Sequence, residues 1–308
     1  MDKNKNATPN LAVRVAGVEF KNPVIAASGT FGFGREYGKL FDLSVLGGIS
    51  TKGLTLNPRE GNAGARIAET ASGILNSVGL QNPGIDAFLR DELPDLQKAG
   101  TKVIANIAGF SEDEYCALAE KLHTAVDMIE LNISCPNVKA GGMSFGVYPD
   151  SVHKIVKAVK RHCACPLMVK LSPNCADIAE NARAAEEGGA DALSLINTLG
   201  GMAVDYRTRK PVLGNVFGGL SGRAVKPVAL KMVRQAYNAV KIPVVGLGGI
   251  ASAGDVLEFM LCGARAVQIG TAQISDPFAL VRAVNDLTNL LKDCNIEDIN
   301  EIVGKLET

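Results

Sequence analysis

The amino-acid sequence predicts an α/β protein, a (β/α)8 barrel in one domain spanning residues 1–308, and three observations carry that expectation. Short apolar runs recur eight times, each ending in glycine or a short polar residue. Helical patterns with recognisable starts separate most of these runs. No GxGxxG turn follows the first run, as the competing open dinucleotide-binding sheet would require. The runs are Pro23 to Ser28, Gly48 to Lys52, Val103 to Asn106, Met128 to Cys135, Leu167 to Ser172, Ala192 to Thr198, Pro243 to Gly248 and Ala266 to Thr271. Their mostly apolar character suits strands covered on both faces, and strands alternating with helices pair in parallel through right-handed crossovers. Eight such units close into a barrel.

The helix starts follow in order. Ser111 with Glu114 forms a capping box. Pro149-Asp150 precedes the periodic Val152, Ile155, Val156 and Val159; Ser252 precedes Val256, Phe259 and Met260; and Asp276-Pro277 precedes Leu280, Val281 and Val284. Three segments stand outside the repeat. Leu11 to Phe20 alternates around Ala16-Gly17 and reads as a hairpin closing the barrel floor. Thr55 to Gln81 and the glycine-rich Gly200 to Gly222 read as long loops, which in a barrel are where an active site is built. No linker or low-complexity tract divides the chain.

Composition narrows the function. At 308 residues, 47% hydrophobic and 21% charged, the chain can bury a large core. Thirty-two basic residues balance thirty-two acidic ones, so no electrostatic footprint for nucleic acid or an anionic membrane is expected. No apolar run reaches the length of a membrane span. The polar start, Met1 to Asn6, leads into no signal-peptide core, and seven cysteines without a CxxC pair suit a reducing compartment; both point to the cytoplasm. Cys163 and Cys165 are too close in sequence for a metal knuckle and read as packing. No metal site is expected.

Strand ends of a barrel converge on one face. Here they present Ser28, Lys52, Asn106, Asn132, Cys135, Lys170, Asn197, Thr198, Gly248, Gly249, Gly270 and Thr271. Gly248-Gly249 before Ser252, and Gly270-Thr271, offer backbone donors after the last two strands, the usual barrel site for a phosphate. Lys170 lies in a run too apolar for a casually solvated lysine, and it is expected, with Lys52, to point at an anionic group in the barrel mouth. The segment Asn132-Ile133-Ser134-Cys135-Pro136-Asn137 sets one thiol between two carboxamides, which need polar partners such as a heterocycle. The three histidines fall on predicted helices and are read as solvated, which leaves Cys135 as the candidate base.

Four motifs together, Asn132 to Asn137, Asn76 to Gly84, Ala27-Ser28-Gly29-Thr30-Phe31-Gly32 and Thr51-Lys52-Gly53, closely resemble the dihydroorotate dehydrogenases of pyrimidine biosynthesis, over Val13 to Val303. Cysteine at the base position resembles the soluble class. Asn137 to Gly142 and Pro58 to Asn62 resemble the NAD-linked B type, whose FMN-bearing catalytic subunit pairs with an electron-transfer subunit carrying FAD and a [2Fe–2S] cluster.

The resemblance implies FMN contacts at Ser28, Lys52, Gly53, Asn106, Asn132, Lys170, Ile196, Gly222, Gly248, Gly249, Gly270 and Thr271. It implies substrate contacts at Lys52, Asn76, Ser77, Val78, Gly79, Leu80, Asn132, Asn137, Asn197 and Thr198. Cys135 would take a proton from C5 of dihydroorotate while hydride leaves C6 for the flavin, and Lys170 would stabilise negative charge on the reduced ring. A loop from Pro136 to Tyr148 would close over the product orotate. The assembly implied is a heterotetramer of two catalytic and two partner chains. Three alternatives stay open on the sequence: a fumarate-using homodimeric A type, a phosphate-binding aldolase or isomerase barrel using Lys170 as a Schiff base, and a flavin-dependent tRNA reductase, which the balanced charge opposes.

Overall fold

The structure, a computed structural model, describes residues 8–133 and 145–307. Eight parallel strands close a barrel: β1 (Val24–Ala26), β2 (Gly48–Ser50), β3 (Lys102–Ile107), β4 (Met128–Asn132), β5 (Leu167–Lys170), β6 (Ala192–Leu195), β7 (Val244–Leu247) and β8 (Ala264–Ile269). Each pairs with its sequence neighbour, and β8 closes on β1 through Val267 opposite Val24. All eight expected runs are therefore strands. Seven of the eight end a residue or more before the polar terminus of the run, which is left for the mouth; β3 instead carries Asn106 within the strand and ends at Ile107.

Among the described residues the longer helices that clad the barrel are α1 (Leu93–Lys98), α2 (Glu112–Leu122), α3 (Pro149–Lys160), α4 (Ile178–Glu187), α5 (Lys226–Ala239), α6 (Ala253–Leu261) and α7 (Ala279–Asp293). The sequence signals act as expected at their starts. Ser111 accepts from the Glu114 amide at 3.3 Å, while the Glu114 carboxylate accepts from the Phe110 amide at 2.6 Å. Ser252 caps α6 through the Asp255 amide, and Pro149 opens α3. Only short 3-10 turns, at Tyr37–Lys39 and Leu43–Val45, follow β1, and α7 packs against that strand instead.

The N-terminal hairpin pairs Val13–Val15 with Val18–Phe20, turning through Ala16 and Gly17, both at positive φ. A Cβ on Gly48 would lie 3.0 Å from the Phe20 ring, so the hairpin plugs the N-terminal end of β2 and forms part of the barrel floor. Glycine serves close packing again in β7. A Cβ on Gly246 would stand 2.4 Å from the Phe259 ring, so its absence lets α6 lie directly on the strand.

The two long excursions differ from expectation. They are not open loops but a four-stranded antiparallel sheet in the order Leu199–Met202, Phe217–Ser221, Gly73–Asn76, Ile67–Thr70. Chain from after β2 thus pairs with chain from after β6, with Gly219 opposite Asn76. The local sequence, short and rich in glycine, carries no strand signal; Ile67–Thr70 pairs locally with Gly73–Asn76, but the remaining partner of Gly73–Asn76, Phe217–Ser221, lies far away in the chain. No helix among the described residues is long and apolar enough to cross a membrane.

Candidate active site

A cavity of about 680 Å³ opens where the C-terminal ends of the barrel strands meet the four-stranded sheet. Its floor is polar. Glu130 of β4 is fully buried, and its carboxylate accepts four hydrogen bonds, each from a different strand or strand end: Ser50 Oγ (2.7 Å) and Asn106 Nδ2 (2.6 Å) on Oε2, Ser194 Oγ (2.8 Å) and Gln268 Nε2 (2.6 Å) on Oε1. Burial alone would push this carboxyl up. The positive charge of Lys170 and the hydrogen bonds from Ser50, Asn106 and Ser194 outweigh it and hold the group below its ordinary value. Lys170, at the end of β5, is only 5% exposed and lines the same cavity. The anion that sequence reasoning sought for Lys170 is thus partly supplied by the protein itself.

Two acceptors on this floor lack donors. Asn106 Oδ1 and Gln268 Oε1 are buried with no hydrogen-bond partner among the described residues, although both side chains line the cavity. Leaving a buried carbonyl unpaired costs about 1–3 kcal/mol, so such groups call for a ligand donor or a water.

One wall is built from glycines brought together from three loops. Gly222, Gly248 and Gly249 all have positive φ, which side chains rarely adopt. A Cβ on Gly249 would meet the Gly222 carbonyl and the Lys226 amide, each at 2.9 Å, so the loops after β6 and β7 touch backbone to backbone. Gly270 and Thr271 follow β8, and the Thr271 hydroxyl donates to Ser221 Oγ at 2.9 Å. Backbone brought together in this way, with no side chain over the glycines, has the chemistry that suits an anionic group. Asp255 ties it down: its carboxylate accepts from the Ala251 amide, the Ser252 hydroxyl and Lys226 Nζ, the last at 2.5 Å.

The opposite wall carries carboxamides. Asn132 ends β4, its backbone carbonyl accepting from the Tyr115 hydroxyl at 2.8 Å, and Asn197 Nδ2 reaches Asn132 Oδ1 at 3.5 Å. Thr198 follows, its amide donating to Asn197 Oδ1. Asn76, Val78, Gly79 and Leu80 descend from the small sheet, where Asn76 Nδ2 donates to the Gly219 carbonyl at 3.3 Å. Gly79 is required here, since a Cβ would strike Asn62 Oδ1 at 2.5 Å.

The scan against protein-family models matches residues 10–291 to dihydroorotate dehydrogenase. The chain belongs to the dihydroorotate dehydrogenase family. It is 54% identical over 298 residues to a relative from Alkaliphilus oremlandii, 54% identical over 299 residues to one from Thermoanaerobacter pseudethanolicus, and 52% identical over 297 residues to one from Caldicellulosiruptor saccharolyticus. These alignments cover 96%, 97% and 96% of this chain and 99% of each relative. Each of the three is named dihydroorotate dehydrogenase B (NAD(+)), catalytic subunit.

The residues that the family resemblance singled out gather around this cavity. Ser28, Lys52, Gly53 and Ile196 line it together with the floor, glycine and carboxamide groups described above. Ser77 does not line it. That side chain is buried behind the wall, its Oγ accepting from Asn62 Nδ2 (3.1 Å) and Asn215 Nδ2 (3.2 Å), which anchors the segment beside it. Cys135, Asn137 and most of the loop from Pro136 to Tyr148 lie outside the described residues. Tyr148, the end of that loop, is exposed. Among the histidines, His162 is exposed, His123 and His153 are half-buried, and none lines the cavity. Glu130 and Gln268 were missed by sequence reasoning: an isolated acid inside an apolar run carries no periodic signal, and its partners meet only when the barrel closes. Among the described residues no group of three or more His, Cys, Asp or Glu could hold a metal ion. Cys163 and Cys165 sit away from the cavity with Sγ atoms 3.6 Å apart.

Proposed function

We propose that this chain, as one FMN-binding barrel domain over residues 1–308, oxidises (S)-dihydroorotate to orotate in pyrimidine biosynthesis. Electrons then pass through a partner subunit carrying FAD and a [2Fe–2S] cluster to NAD, in a cytoplasmic heterotetramer of two catalytic and two partner chains. The observation that carries this reading is the meeting, in one 680 Å³ cavity, of a backbone cradle for an anion, a floor with a lysine and two unpaired acceptors, and a wall of carboxamides. A flavin mononucleotide fits that donor set: its phosphate suits the Gly222, Gly248, Gly249, Gly270 and Thr271 backbone, and its polar ring edge suits Lys170 and Asn106. The names of the relatives support the substrate, the NAD-linked oxidant and a partner subunit.

Bound FMN supplies the hydride acceptor. The residues of the chain do the rest. Asn76, Asn132, Asn137, Asn197 and Thr198 pair with the edges of the pyrimidine ring and hold it flat, which converts substrate binding into orientation. Lys52, which lines the cavity, would contact cofactor and substrate alike. Cys135 accepts the C5 proton, which is acidified by the adjacent carbonyl. Lys170, buried at the cavity floor, would offset negative charge on a bound flavin.

The test is anaerobic reduction of the FMN-reconstituted chain by dihydroorotate, followed by flavin absorbance. Bleaching on addition of dihydroorotate supports the reading. A chain that binds no FMN, or whose flavin stays yellow, would sink it.

A further inference from the structure

Glu130 takes no part in the chemistry outlined above, yet it is fully buried and organises more of the cavity floor than any other side chain described here. A carboxylate can only accept hydrogen bonds. Asn106 and Gln268 must therefore turn their NH2 groups toward it, and their carbonyl oxygens are turned away by the same rotation. Those two oxygens are the ones left without a donor. We infer that Glu130 is a positioning residue for the flavin: it fixes two carboxamides so that the floor presents acceptors to the N–H of the bound ring, and it sets the net charge beneath that ring by standing against Lys170. Gln268, which no motif marked, becomes a ring-binding residue through it.

The alternative is that Glu130 is a leftover polar plug whose bonds merely satisfy one another. Two features oppose that. A self-contained network would leave no orphaned acceptor, and this one leaves two, both on residues that line the cavity. A plug would also need no neighbouring cation, whereas the charge of Lys170 is the strongest of the influences holding Glu130 ionised.

The inference rests on the FMN reading, and the experiment separates the two. Parent, Glu130→Gln and Gln268→Met chains are stripped of flavin and titrated with FMN; reduction potentials of the loaded forms are measured against dyes, and the melting of the apo forms is recorded. Failure of the parent to bind FMN defeats the FMN reading itself. In Glu130→Gln the new amide must find an acceptor, which flips one of the two carboxamides and removes one acceptor from the floor. FMN should then bind about tenfold more weakly, the effect of one hydrogen bond.

The potential of Glu130→Gln should become more positive, because a full buried charge outweighs one neutral hydrogen bond and its loss leaves Lys170 uncompensated. Gln268→Met should weaken FMN binding by a similar factor and move the potential less. A purely structural Glu130 would lower apo melting while leaving FMN affinity and potential at parental values, and that outcome overturns the inference. If Glu130→Gln does not fold, Gln268→Met decides: parental FMN affinity in that variant overturns it equally.

Discussion

Cys135 is the residue on which the proposed chemistry turns, since no histidine among the described residues lines the cavity. Cys135→Ala should leave FMN bound while reducing the rate of flavin reduction by dihydroorotate at least a hundredfold, the lower end of what a positioned base contributes. Cys135→Ser should retain weak activity that climbs with pH, because a hydroxyl is a far scarcer base than a thiol of ordinary pKa about 8.5. Stopped-flow bleaching of the flavin measures both, and a parental rate in the alanine variant removes Cys135 from the role. Lys170 acts on the other side of the same transfer. Lys170→Ala should make the flavin potential more negative and loosen FMN, the opposite sign to Glu130→Gln, and dye equilibration reads the difference. Equal shifts in one direction for both variants would show that neither charge acts through the flavin.

Among the elements, the start of α6 shows how secondary structure steadies a loop. Asp255, in its first turn, reaches back to the Ala251 amide and across to Lys226 at the start of α5, so one carboxylate joins two of the glycine-bearing loops. Burial pushes that carboxyl up, but the bonds from Lys226, Ala251 and Ser252 hold it below the ordinary value. A group with a lowered folded value contributes stability that is complete above about pH 4 and is lost as pH falls through the lowered value. The parent should therefore lose stability in acid more steeply than Asp255→Asn, which should also be less stable at neutral pH by about 1–2 kcal/mol. Urea unfolding at a series of pH values checks both. Identical acid slopes would mean that the brace carries no stability.

The elements also divide by how legible they are in sequence. The barrel strands announce themselves because each is a dense apolar run covered on both faces, and the caps at Ser111 and Ser252 are local chemistry. The glycines at 248, 249 and 270 were readable for the same reason: their role depends on the strand they follow. The four-stranded sheet was not readable. Gly73–Asn76 and Leu199–Met202 are short and glycine-bearing, and the strand that pairs with both lies far along the chain from Asn76. Nor was Glu130, because Ser50, Asn106, Ser194 and Gln268 belong to separate strand runs and become its partners only when the barrel closes.

For the whole molecule, the proposed division of labour has a direct readout. The isolated chain should reduce an artificial dye with electrons from dihydroorotate but reduce NAD poorly, and addition of an FAD- and cluster-containing partner should restore NAD reduction. Rapid turnover with fumarate by the isolated chain would replace the B-type reading by the A type.

The strand Phe217–Ser221 pairs on one side with Gly73–Asn76, which leads into the carboxamide wall, and at its end runs into Gly222 of the glycine wall. On the proposed function, a single stretch of backbone is therefore shared by the place from which the product would leave and the place where the nucleotide would stay. Ordering this strand from one end lowers the conformational entropy still to be lost at the other, so orotate and FMN should each tighten the hold on the other by the same factor. The enzyme would then be most prone to shed its flavin in the moments when it has no pyrimidine, which makes starvation for substrate, more than turnover, the condition that wears it out.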